Sequence, residues 1–191
     1  MGRLIYSIMS SLDGFIADET GNFGWAAPDE EVLEFLNEQE LSVGTYLYGR
    51  TMYEMMAGWE TDPSYGAQSP QSERFAGIWQ AAEKIVYSTT LAEVTTSHTG
   101  LRRAFDVDEV RELLDGATAD VNIAGPTLAA HAFNAGLIDE IQVIHAPVIV
   151  GGGKPYYPTA RVPLVLRETR TFANSMAWLR YDVVRMEGQV E

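Results

Sequence analysis

The chain has 191 residues, 46% hydrophobic and 21% charged, which suits a single globular domain over residues 1–191 and excludes extended disorder. Its formal net charge of −14 argues against nucleic-acid binding by bulk electrostatics, so an anionic ligand must be met by local arginines, hydroxyls and backbone N–H groups. It contains no cysteine, which excludes disulfides, thiolate zinc sites and a cysteine nucleophile, and no apolar run approaches the roughly 20 residues that span a bilayer.

The N-terminal stretch "MGRLIYSIMSSLDG" has no signal-peptide apolar core or cleavage site, so a cytoplasmic protein is expected. Its "LIYSIMS" (4–10) predicts a strand. Residues 11–28, with Asp-Gly and Thr-Gly-Asn turn signals, predict a long loop. Over 29–41, Val32, Leu33, Phe35 and Leu36 form one helical face behind an acidic start. "TYLYG" (45–49) predicts a strand and "RTMYEMMAGW" (50–59) a helix. Pro63, Gly66 and Pro70 make 60–71 a loop before a helix over 72–82 and a strand over 84–88.

A strand over 98–105 precedes a helix over 106–116, which starts on an aspartate cap and stops at glycine. "VNIAG" (121–125) is a strand, and 126–136 is a helix with Pro126 at its start and Gly136 at its end. Residues 140–150 predict a long strand, and 164–186 two strands around an Asn-Ser turn. Strands and helices alternate, then two adjacent strands close the chain. That order predicts an α/β fold of three layers, a mainly parallel sheet with an antiparallel C-terminal edge. Ligands of such sheets bind beyond the carboxyl ends of the strands.

Four strand ends carry anion-binding chemistry. In "YLYGRTMYE" (46–54), Gly49 allows a turn while Arg50 and Thr51 offer donors at a helix start; the same residues also read as a plain strand–helix turn. Ser88, Thr89 and Thr90 follow a strand and read either as phosphate donors or as a polar loop. Gly125, Pro126, Thr127 and Leu128 open a helix whose N–H groups and dipole suit a pyrophosphate. The alanines beyond them equally favour tight helix–sheet packing, and the G-x-G-x-x-G fingerprint is absent. The fourth, "APVIVGGGKPYYP" (146–158), bares the backbone at Gly151, Gly152 and Gly153, for a ligand to approach or for a flexible crossover.

Taken together, "GRTMYE", "STT", "GPTLAAHAFNAGLIDE" and "APVIVGGGKPYYP" resemble the dihydrofolate reductase superfamily. They are closest to the reductase domain of the bacterial bifunctional riboflavin-pathway deaminase-reductase and its stand-alone relatives. "SLDGFIA" (11–17) matches the start of that group and "AGLIDEIQVIHAPVIVGGGKP" its end. The resemblance implies a dihydrofolate reductase-like fold and a reductase using NADPH on a small substrate. It places Arg50, Thr51, Ser88 and Thr89 around the adenosine 2′-phosphate, and Gly125 to Leu128 at the pyrophosphate. Gly151 and Gly152 would lie near the nicotinamide, with Asp13 orienting the substrate. A homodimer is implied too, with the apolar last hairpin as its surface.

Two departures bear on the substrate. Position 15 is Phe, where the riboflavin reductases usually carry Lys or Arg, and the chain has neither the cysteines nor the length for the zinc deaminase domain. Trp25, Pro28 and Glu30 reproduce the spacing around the acid of folate reductases, so Glu30 is the candidate acid of a pterin-type reductase. Asp29 lies nearer the apolar face of that helix, and Asp29, Glu30 and Glu31 also simply favour a helix N-terminus. A nucleotide-binding module without catalysis is the remaining alternative. His98, His131 and His145 are too scattered to suggest a metal site.

Overall fold

The computed structural model describes residues 2–157 and 161–184. Eight strands form one sheet, in the order β5 (Thr99–Arg102), β4 (Glu83–Tyr87), β3 (Val43–Gly49), β6 (Asp120–Ala124), β1 (Leu4–Ser11), β7 (Glu140–Ala146), β10 (Ala177–Val183) and β9 (Leu164–Thr171). The first six run parallel. Then β10 pairs antiparallel to β7, and β9 antiparallel to β10. The mainly parallel sheet with an antiparallel edge is therefore present, as the element order predicts. Positions 185 and 186 of the expected last strand lie outside the described residues, as does Pro158.

Both faces of the central strands are covered, which is why their sequences are apolar without clean alternation. Leu4, Tyr6, Leu47, Val121 and Ile123 pack beneath helices α6 (Val107–Gly116) and α7 (Pro126–Asn134). Ala129 and Ala132 of α7 are almost wholly buried, so small side chains let this helix lie close to the sheet. The opposite face carries α1 (Glu30–Glu40), α2 (Arg50–Met56) and α5 (Pro70–Ala81). There Val32 and Phe35 meet Ile144 and Trp178, while Tyr53 and Trp79 meet Tyr46, Tyr48 and Val86. Two short helices, α3 (Gly58–Thr61) and α4 (Pro63–Gly66), link α2 to α5.

Several boundaries differ from the sequence expectation. The helix expected over 50–59 breaks after Met56, at the Ala57–Gly58 step, and the loop expected over 60–71 is half helical. Asp62 caps α4 and Ser69 caps α5, each followed by a proline at the helix start; the prolines there begin helices rather than loops. The strand expected over 98–105 ends at Arg102, and that expected over 140–150 ends at Ala146. Pro147 has no N–H for the ladder, and Val148 N donates 2.8 Å back to Ala146 O in a tight three-residue turn.

The loop expected over 11–28 holds a further strand, β2 (Phe15–Ala17), paired antiparallel with β8 (Lys154–Pro155). This pair straps the segment after β7 to the turn after β1. Leu12 N donates to Val148 O at 2.8 Å and Tyr156 N to Gly14 O at 3.1 Å. The triple glycine belongs to the strap. Gly153 has φ +138, and a Cβ there would sit 2.0 Å from Ala17 O; Gly151 has φ +79. Close approach does demand glycine, but what approaches Gly153 is the chain's own backbone.

Beneath α5, half-buried Glu40 turns its carboxyl to Tyr46, whose hydroxyl donates at 2.8 Å. Burial pushes this carboxyl from its ordinary 4.5 up to about 7, against the opposing effect of the Tyr46 hydrogen bond. A carboxyl raised in the folded state keeps a proton that the unfolded chain has lost. Its contribution is therefore full below pH 4.5 and falls as pH rises to about 7.

Two stability measurements follow. Glu40→Gln keeps the acceptor for Tyr46 and removes the ionisation, so it raises the thermal midpoint at pH 8 by about 5 °C, a gain that vanishes near pH 4. Gly153→Ala lowers stability in chemical denaturation by about 1–3 kcal/mol. Gly49→Ala, at φ −78 with no atom within 4 Å of the added carbon, changes it by less than about 1 kcal/mol.

Candidate functional site

Because six strands run parallel, their carboxyl ends share one rim. A cleft of about 610 Å³ opens there. It collects Gly49, Arg50 and Thr51 after β3, Ser88 and Thr89 after β4, and Gly125, Thr127 and Leu128 after β6. Three of the four strand ends singled out in the sequence thus meet in one place. Pro126 forms the first turn of α7 without lining the cleft, and Gly151 and Gly152 do not line it either.

Gly125 precedes α7 with φ 92, a left-handed value suited to glycine, and no side chain caps the helix. Pro126 has no N–H, and the N–H groups of Thr127 and Leu128 have no partner within the helix. They are left at the positive end of the helix dipole for a ligand. After β4, Ser88 Oγ accepts from Thr90 N at 3.2 Å and Leu91 N at 2.9 Å, so this hydroxyl shapes the turn while exposed Thr89 stands at its tip.

Three cations line the cleft: Arg50, Arg103 and Lys154. Arg50 is partly neutralised, with Nε 2.7 Å from Glu54 Oε1, and its Nη1 donates to Thr90 Oγ1 at 3.1 Å. Arg103 is held differently. Its Nη1 donates to Ser88 O at 3.1 Å and Leu91 O at 2.6 Å, its Nη2 to Ala92 O at 3.4 Å, and it makes no ion pair among the described residues. Lys154 likewise has no carboxylate partner among the described residues. No aspartate or glutamate lines the cleft. Phe105 stacks on His131 at its wall, centroids 5.6 Å apart and planes 23° from parallel.

Arg103, Phe105, His131 and Lys154 escaped the sequence reading. Reading "HTGLRRAF" as one strand hid Arg103; with β5 ending at Arg102, it is the first residue beyond a strand end.

The two candidate acids stand elsewhere. Asp13 lies on the exposed turn after β1, where Oδ1 accepts from Val150 N at 3.2 Å and Oδ2 from Gly151 N at 2.8 Å. The Ser11 hydroxyl and these two N–H groups hold its carboxyl below the usual range. Glu30 lines a separate cleft of about 310 Å³ with Glu31, Glu34, Glu38 and Arg170, sharing no residue with the first. Asp29 accepts from Val32 N at 2.9 Å and is the N-cap of α1, which places Glu30 and Glu31 in its first turn.

An anionic dinucleotide fits the larger cleft on the chemistry of its donors: three cations, two free helix-start N–H groups and no carboxylate. Among the described residues no group of three or more histidine, aspartate or glutamate side chains is arranged to hold a metal, and no helix is long and apolar enough to cross a membrane.

The chain is 27% identical over 187 residues to the uncharacterized Bacillus subtilis (strain 168) protein YyaP, covering 94% of each. Its structure is similar to a putative riboflavin biosynthesis protein from Shewanella sp. PV-4, with a TM-score of 0.73, 22% identity and 96% and 99% of the two chains covered. It is also similar to a Thermotoga maritima diaminohydroxyphosphoribosylaminopyrimidine deaminase/5-amino-6-(5-phosphoribosylamino)uracil reductase, with a TM-score of 0.63 and 15% identity, covering 96% of this chain and 57% of that one. These likenesses give a dihydrofolate reductase-like fold. Residues 3–178 match the RibD C-terminal domain across nearly the whole described chain, and to that family the chain belongs.

Proposed function

We propose that the protein is an NADPH-dependent reductase of the riboflavin-pathway pyrimidine type, which delivers hydride to a C=N or C=O carbon of a small substrate. One observation carries this reading: a carboxylate-free, cationic cleft runs along the strand ends of a strongly acidic molecule. Bound NADPH would supply the hydride; the chain supplies position and electrostatics. Arg103, Arg50 and the Ser88–Thr89 turn would hold the 2′-phosphate, with charge-assisted hydrogen bonds that NADH cannot form. The N–H groups of Thr127 and Leu128 would hold the pyrophosphate beside the bare backbone of Gly125.

Asp13, kept ionised by its loop contacts, would act at the substrate end as a fixed negative charge. Glu30, the acid of the pterin-type alternative, lines the separate acidic cleft beside α1.

Calorimetry with NADPH tests the cofactor reading; no heat with either NADPH or NADH at millimolar concentration would sink it. Arg103→Ala and Arg50→Ala are each expected to weaken NADPH about tenfold or more and NADH about threefold at most. Equal losses for the two coenzymes would remove those arginines from the phosphate site. Oxidation of NADPH, followed by its absorbance, is expected with the aminopyrimidine phosphoriboside and not with dihydrofolate. Cofactor binding without turnover on a panel of carbonyls and imines would favour a nucleotide-binding module instead.

A further inference from the structure

One stretch of the cleft wall takes no part in holding phosphates: the ring pair Phe105–His131. Among the described residues that line the cleft, Tyr87, Phe105 and His131 carry the rings. Tyr87 is buried and tilts against Phe105, with centroids 5.2 Å apart. Phe105 is half-buried, and His131 is exposed. The core thus fixes Phe105 from behind, and Phe105 holds the imidazole nearly parallel to its own ring. His131 makes no hydrogen bond or ion pair among the described residues. Packing accounts for Phe105, which precedes the α6 cap, but not for an exposed imidazole laid upon it. A flat, partly wetted ring surface on a concave wall is a platform for another flat ring.

The place of the pair narrows what that ring is. Phe105 stands two residues beyond Arg103, and both line the cleft. His131 follows Thr127 by one helical turn, on the same side of α7. The pair therefore joins the segment that carries the oriented cation to the helix start that offers free N–H groups. In the adenosine half of NADPH one ribose carries three groups. The base is on C1′, the phosphate on C2′, and the pyrophosphate on C5′. A base so attached must lie beside both phosphate positions. Between Arg103 and the start of α7, the surface offered to it is Phe105 and His131.

We propose that the adenine ring of the coenzyme stacks on the Phe105–His131 pair. The inference rests on the dinucleotide reading and extends it from the phosphates to the base. Adenine binding then draws on ring contact as well as charge, and this part of the affinity is insensitive to salt.

The test uses 2′,5′-ADP, which holds the adenosine 2′-phosphate half of the coenzyme alone. By calorimetry, His131→Ala should weaken both 2′,5′-ADP and NADPH about tenfold, the worth of one base–aromatic stack. His131→Phe restores a flat ring and should stay within about threefold of wild type. Phe105→Leu keeps apolar volume beside the core and removes the ring. In nuclear magnetic resonance, the H2 and H8 protons of adenine should move upfield on binding to wild type, through the ring currents. That shift should shrink with Phe105→Leu. Unchanged affinity in His131→Ala overturns the stack, as does a loss in His131→Phe equal to that in His131→Ala. Bound 2′,5′-ADP without an upfield shift also overturns it, and leaves the dinucleotide reading standing. Wild-type protein that binds neither 2′,5′-ADP nor NADPH overturns both.

Discussion

The cleft depends on how Arg103 is held. In a chain with 27 acidic and 13 basic side chains, most arginines are drawn into ion pairs. Arg102, its neighbour, is bound to Glu109 at 2.6 Å. Arg103 is gripped instead by the carbonyls of Ser88, Leu91 and Ala92. A carbonyl orients a guanidinium without cancelling its charge. The turn after β4 thus presents an oriented cation that remains available to an anion. The same turn is shaped from within by Ser88 Oγ. One serine accordingly serves the site twice, through its hydroxyl and through its carbonyl, before any ligand arrives.

The acidic surplus does not defeat such a site. Charges beyond about 8–10 Å are largely screened at physiological salt, so local groups decide whether a phosphate is held. Within the cleft those groups are all donors. The smaller cleft by α1 shows the reverse arrangement, with four glutamates on its wall. Arg170 is its one lining cation, 4.8 Å from the Phe35 ring centroid. The two clefts divide the charge of the molecule, and only one has the sign for a dinucleotide.

Fold class and cleft were legible where local chemistry and tertiary packing agree. Gly49, Ser88 and Gly125 each end a buried apolar run, so strand ends could be found from composition alone. Misread stretches are those where an apolar residue continues a pattern that the backbone has left. Val148 and Val150 look like strand, but Pro147 breaks the ladder. Ala104 and Phe105 look like the end of a strand, yet they wall the cleft. Prolines 63 and 70 look like loop, yet they start helices whose caps, Asp62 and Ser69, stand just before them. The β2–β8 pair was invisible for another reason. It joins segments more than 130 residues apart through two- and three-residue strands, too short for any periodicity.

That strap also binds the packing account of the triple glycine to its functional one. Gly153 lets β8 lie against Ala17, and the next residue, Lys154, reaches the cleft from there. Gly151 and Val150 present their N–H groups to Asp13, which holds the carboxylate in its ionised form. An acid held below its usual range is a poor proton donor at neutral pH, and no carboxyl lines the cleft. Gly153 thus stands in sequence between Lys154, which lines the cleft, and the two backbone N–H groups that hold Asp13. Bare backbone here is a hinge point of the electrostatics, even though no ligand needs to touch it.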